Sequence, residues 1–118
     1  MISQPISPEM FTGLPAHVQK QYNKEVNSPD EIIETVANHF GYMSVDLLGI
    51  SRKKAIVEAR HIAIYFIRLK NPMLTFKKIG QIFGKDHSTI IFSVQMVQDQ
   101  IRLEKGYKEK INTIQSLL

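Results

Sequence analysis

The sequence predicts an all-α fold: a compact helical domain carrying a helix-turn-helix, preceded by an N-terminal arm. Three observations predict it. Apolar residues recur at three- and four-residue spacing, and no segment alternates with period two for long, as a half-buried strand would. Ser, Thr, Asp, Pro and Gly stand where helices should start and stop. One stretch, Phe83-Gly84-Lys85-Asp86-His87-Ser88-Thr89, ends an apolar-faced helix on a glycine and opens the next within a tight turn, as a helix-turn-helix requires.

The chain of 118 residues has room for one domain and an arm, not for two cores. Pro5, Pro8, Gly13 and Pro15 argue against a continuous helix before Ala16, so residues 1–27 read as the arm, with a short helix possible over Ala16 to Val26 and a protein partner as its candidate ligand. Residues 28–118 read as the helical domain. Ser28-Pro29-Asp30-Glu31 starts its first helix, with serine as cap, proline in the first turn and glutamate completing a capping box. Ile32, Ile33, Val36, Ala37 and Phe40 share one face, and Gly41 ends the helix. Ser44 can cap a short turn through Leu47-Leu48, stopped by Gly49.

Ser51 is the expected cap of the third helix, whose first turn would be Arg52-Lys53-Lys54. From Ala55 to Ile67 this helix is apolar nearly all round, so it should be the buried centre, ended by Asn71-Pro72. Thr75 caps a short helix with Phe76, Ile79, Ile82 and Phe83 inward and Lys77 and Lys78 outward. Asp86 caps the next, with Ile90, Ile91, Val94, Val97 and Ile101 as its buried stripe. Gly106 breaks the pattern before a last helix faced by Tyr107, Ile111, Ile114 and Leu117 or Leu118.

Charge is concentrated. From Arg52 to Lys85 there are nine Lys/Arg against one acid, Glu58, whereas the rest of the chain holds six basic and ten acidic residues. A basic middle between acidic flanks points to a polyanion as partner. Basic residues in the first turn of the third helix would oppose its dipole, which also favours an anion nearby. The absence of cysteine excludes disulfides, thiolate metal sites and a cysteine nucleophile. The longest unbroken apolar run, Ile62 to Ile67, is far short of a membrane span, and Met1 to Pro5 lacks a basic n-region, so no membrane association and a cytoplasmic, nucleoid-associated location are expected.

Ser51-Arg52-Lys53-Lys54, Ala59-Arg60-His61-Ile62-Ala63, Ile79-Gly80 to Phe83-Gly84, and Lys85-Asp86-His87-Ser88-Thr89 resemble the C-terminal DNA-binding domain, domain IV, of the bacterial replication initiator DnaA. The resemblance covers about residues 29–118 and implies a Trp-repressor-like helical domain that reads a short asymmetric box in double-stranded DNA, as a monomer. By resemblance, Arg52 enters the minor groove, Asp86, His87 and Ser88 reach bases in the major groove, and Thr89 contacts DNA beside them. Arg60 and Arg68 match backbone contacts, and His61 sits where a glutamine is common. The turn is one residue shorter than the family's Phe-Gly-Gly-Arg-Asp-His, Lys85 replaces the arginine, and Phe92 replaces a DNA-proximal histidine. The family's ATPase module cannot fit in 28 residues, and no GxxxxGK[ST] is present, so a stand-alone relative needing no nucleotide or other cofactor is expected.

The residue types suit that chemistry. His87, Ser88 and Thr89 are short donors and acceptors on the first turn of a recognition helix, and Asp86 can accept from an amino group of cytosine or adenine. Lys54, Arg60, His61, Arg68, Thr75, Lys77, Lys78 and Lys85 are the expected phosphate contacts, which position a duplex without reading it. Arg52 is suited to a narrow A·T-rich minor groove. No enzyme is expected: His17, His39, His61 and His87 lack metal-ligand spacing, and the adjacent Asp86, His87 and Ser88 point to different sides of a helix. The alternative is a helical protein-interaction module that kept the fold and lost specific DNA binding.

Overall fold

A computed structural model of the protein describes residues 27–118, which contain six α-helices: α1 (Pro29–His39), α2 (Ser44–Leu48), α3 (Lys54–Lys70), α4 (Phe76–Phe83), α5 (His87–Leu103) and α6 (Tyr107–Gln115). The arm expected over residues 1–27 lies, but for Asn27, outside the described residues. No helix among the described residues is long and apolar enough to cross a membrane.

α3 is the centre. It packs against α1, α2, α4 and α5, while α5 also carries α4 and α6. Ile62, Ala63, Phe66 and Ile67 on α3 are fully buried, meeting Ile32, Ile33 and Val36 of α1, Ile79 of α4, and Ile90 and Val97 of α5 in one core. Tyr107, Ile111 and Ile114 close that core from α6, with Leu118 packed against it and Leu117 exposed. On α5 the buried stripe is Ile90, Val94 and Val97, with Ser93 among them; Ile91 and Ile101 are half-buried, at its margin.

Most helix ends follow the punctuation. Ser28 Oγ accepts from the Glu31 N–H at 3.3 Å, Thr75 Oγ1 accepts from the Lys78 N–H at 3.1 Å, and Gly84 takes the left-handed conformation that ends α4. Two starts differ. Met43, not Ser44, is the N-cap of α2, because Asp46 reaches back to accept the Met43 N–H at 2.9 Å. α3 begins at Lys54, three residues after Ser51, whose hydroxyl instead accepts from the Lys53 N–H at 3.2 Å. Arg52 and Lys53 therefore stand on the loop before the helix rather than in its first turn.

The α4–α5 turn is closed by a close backbone approach. The Lys85 N–H donates to the Gly80 carbonyl at 2.8 Å, and a Cβ added at Gly80 would collide with the Lys85 carbonyl oxygen. Backbone faces backbone there, so neither side has a flexible end that could yield. Gly80 is what allows the turn to lie on α4.

Candidate nucleic-acid interface

Asp86 is the N-cap of α5, and His87, Ser88 and Thr89 form its first turn; all four are exposed. Asp86 makes no capping side-chain hydrogen bond, which leaves its carboxylate available to an outside donor. The first amide N–H groups of α5 lack helical partners and add donors at the same end. A polar first turn therefore projects from a helix whose next buried residue is Ile90.

Beside it lies an open cleft of about 550 Å³ between the α2–α3 loop and α5, lined by Ile50, Arg52, Arg60, His61, Lys85, Thr89, Phe92 and Ser93 among others. It brings together five of the residues picked out by sequence: Arg52, Arg60, His61, Lys85 and Thr89. Arg52 and Thr89 are exposed on its rim, and Lys85 is half-buried. Thr75, Lys77 and Lys78 are exposed around the start of α4, and the Thr75 oxygen also serves as the cap described above. Lys54 is exposed but lines a different cleft, with Glu58, Glu104, Tyr107 and Lys110. There Lys110 pairs with Glu58 at 2.7 Å, and burial together with Glu58 and Glu104 pushes the Tyr107 hydroxyl up to about 12.

Three of the expected phosphate contacts are engaged within the protein. Arg60 is not on an exposed edge: it is 6% exposed. Its Nε donates to the Leu47 carbonyl at 2.7 Å, and its Nη2 donates to those of Gly49 and Ser51, both at 3.2 Å. The guanidinium is spent on holding the loop that presents Arg52. Arg68 acts similarly on the α3–α4 loop: Nη1 donates to the carbonyls of Pro72 at 3.1 Å and Leu74 at 2.7 Å, and the guanidinium lies 4.6 Å from the Phe76 ring centroid.

His61 is the third. It is half-buried, bonded through Nδ1 to Ser93 Oγ at 2.8 Å, and edge-on to Phe92 with ring centroids 6.1 Å apart. Ser93 Oγ donates to the Thr89 carbonyl at 3.1 Å, so its single proton is used and it accepts from His61. This network assigns the imidazole proton to Nδ1. Burial first, and the Arg60 charge second, hold the His61 pKa below its ordinary value, so the ring is a neutral strut between α3 and α5 rather than a cation for phosphate.

The sign of its pH effect follows. A base whose pKa is depressed by folding binds protons more readily when unfolded, so its contribution to stability is present above about 6.5 and is lost as pH falls toward the folded value. The melting temperature is expected to fall as pH is lowered from 7 toward 5, and His61→Gln, which does not titrate, should flatten part of that fall. An unchanged pH profile in His61→Gln would remove His61 as the group responsible.

Ser93 is the residue that sequence reasoning missed. It is 1% exposed on the apolar stripe of α5, and its one signal in the sequence is a hydroxyl four residues after Thr89, the spacing at which it can bond that carbonyl.

Comparison with known proteins places the chain in a family. Residues 29–97 match the family model of the bacterial dnaA protein helix-turn-helix. The chain is 36% identical over 87 residues to the chromosomal replication initiator protein DnaA of Thermus thermophilus, covering 73% of this chain and 20% of that protein. The DnaA of Bacteroides fragilis is 34% identical over 90 residues (75% and 19%), and that of Tropheryma whipplei 44% identical over 73 residues (62% and 15%). The chain thus spans about a fifth of the length of these curated relatives, or less. With the all-helical fold and a family model matched over more than half of its length, the chain belongs to the bacterial DnaA helix-turn-helix family.

Proposed function

We propose that the chain binds double-stranded DNA sequence-specifically, with the first turn of α5 in the major groove and Arg52 in the adjacent minor groove, and that it regulates replication or transcription. Membership of the DnaA helix-turn-helix family supports DNA binding as the general function. The observation that carries the finer reading is the exposed turn Asp86–Thr89, with the Asp86 carboxylate free of its cap, beside a cleft bordered by Arg52 and Lys85. Lys77, Lys78 and Thr75 hold the phosphates, and Asp86, His87, Ser88 and Thr89 read base edges. The protein acts as a monomer on an asymmetric site, in the cytoplasm, without a nucleotide.

Selection from a random duplex library tests binding and specificity together. His87→Ala and Ser88→Ala should each cost about 1–3 kcal/mol on the selected duplex and little on random DNA. Equal losses on both would contradict base reading. The exposed apolar residues Phe92, Met96 and Leu103 along α5 favour the second reading, a protein-interaction module. Affinity for duplex that falls steeply with salt supports the first reading, because phosphate contacts release counterions; salt-independent or absent binding supports the second.

A further inference from the structure

Ile50 is 93% exposed and stands just before Arg52-Lys53-Lys54. Single exposed apolar side chains are ordinary on soluble surfaces. Ile50 shares with Met73, which is 92% exposed between the Arg68-bonded carbonyls of Pro72 and Leu74, a backbone fastened by an arginine, and differs from it in lying on the same cleft as Arg52. Arg60 Nη2 donates to the carbonyls of Gly49 and Ser51, the residues on either side of Ile50, and Arg60 Nε donates to Leu47. The Ser51 hydroxyl accepts from the Lys53 N–H one step further along. The backbone around Ile50 is therefore fastened from inside by a buried guanidinium, and the side chain is carried outward on a fixed apex, along the same cleft as Arg52. Presenting it this way spends little further conformational entropy on binding.

We infer that Ile50 is a specificity-determining residue that enters the minor groove with Arg52 and rejects G·C pairs there; the inference rests on the DNA reading above. The minor-groove floor shows only acceptors at A·T and T·A, whereas G·C adds the guanine N2 amino donor. Isoleucine displaces water from that floor and offers no acceptor in exchange. A guanine amino group beneath it loses its hydration without a replacement hydrogen bond, while the acceptors of an A·T pair remain open to the Arg52 guanidinium. Arginine alone favours A·T through groove width and potential. Ile50 adds a steric and desolvation penalty that carries no charge, and discrimination through an unsatisfied wrong partner is a general route to specificity.

The test uses the full chain and the duplex recovered by selection, with the pair under the α2–α3 loop located by minor-groove footprinting. Replacing that A·T pair with G·C should weaken binding about tenfold, and inosine·cytosine, which lacks the N2 amino group, should restore it to within about twofold. Ile50→Asn, which supplies an acceptor, should tolerate G·C, and Ile50→Ala should discriminate less than the unaltered protein. Because Ile50 is exposed, both variants should melt as the unaltered protein does, with the same salt slope. Equal binding losses for inosine·cytosine and G·C, or full discrimination retained in both variants, would overturn the role given to Ile50 and leave the DNA reading standing. Absence of any preferred duplex for the unaltered protein would instead defeat the DNA reading, and this inference with it.

Discussion

Arg60→Ala is expected to destabilise the domain by about 2–4 kcal/mol, because it leaves buried and partly buried backbone carbonyls without their donor. Arg60 is 6% exposed and serves three of them, at Leu47, Gly49 and Ser51. Removing it should loosen the segment between α2 and α3 as well as lower the denaturation midpoint. Arg60→Lys should recover part of the loss at most, since an ammonium lacks the fork geometry that meets three separated acceptors. A midpoint unchanged in Arg60→Ala would show that water serves the carbonyls equally well.

The same variant separates two ways in which Arg60 can influence DNA. If it acts by holding the Arg52 loop, Arg60→Ala should weaken binding, and Arg52→Ala combined with Arg60→Ala should lose little more than Arg52→Ala alone. A direct phosphate contact predicts losses that add, since independent contacts are additive to within about 0.5 kcal/mol. The bonds to Leu47, Gly49 and Ser51 favour the first outcome.

Phe83→Ala should cost about 3–5 kcal/mol in global stability, the usual range for emptying a buried aromatic site. Phe83 is 3% exposed in the last turn of α4, immediately before the left-handed Gly84, and belongs to the central core. The cavity would open beneath the turn itself, so the loss should fall on the seat of α5 as well as on the core. Phe83→Leu, which keeps most of the volume, should cost less. Denaturant titration checks both, and an alanine variant as stable as the leucine variant would show that the site collapses around the gap.

How far the sequence led differs from element to element. Ser28, Thr75 and Gly84 were legible because a cap or a left-handed stop is decided within four residues. The buried faces of α1, α3 and α4 were legible because helical spacing alone puts their apolar residues on one side. The exposed polar turn Asp86–Thr89 follows from the same local rules. The start of α3 was misjudged: Ser51, Arg52 and Lys53 have the composition of a first turn, but the carbonyls of Gly49 and Ser51 are bonded by Arg60, nine to eleven residues further along.

The sequence by itself determined the all-α architecture, the helix-turn-helix and its short polar first turn, since each depends on periodicity and capping between near neighbours. Only the tertiary structure decided which cations are free to meet a partner. Arg60, Arg68 and His61 look in the sequence like Arg52, Lys77 and Lys78, yet the fold turns the first two toward carbonyls and the third toward Ser93, 32 residues away. A side chain's charge is written in its residue type, but whether that charge is spent inside the protein depends on acceptors that folding alone brings within reach.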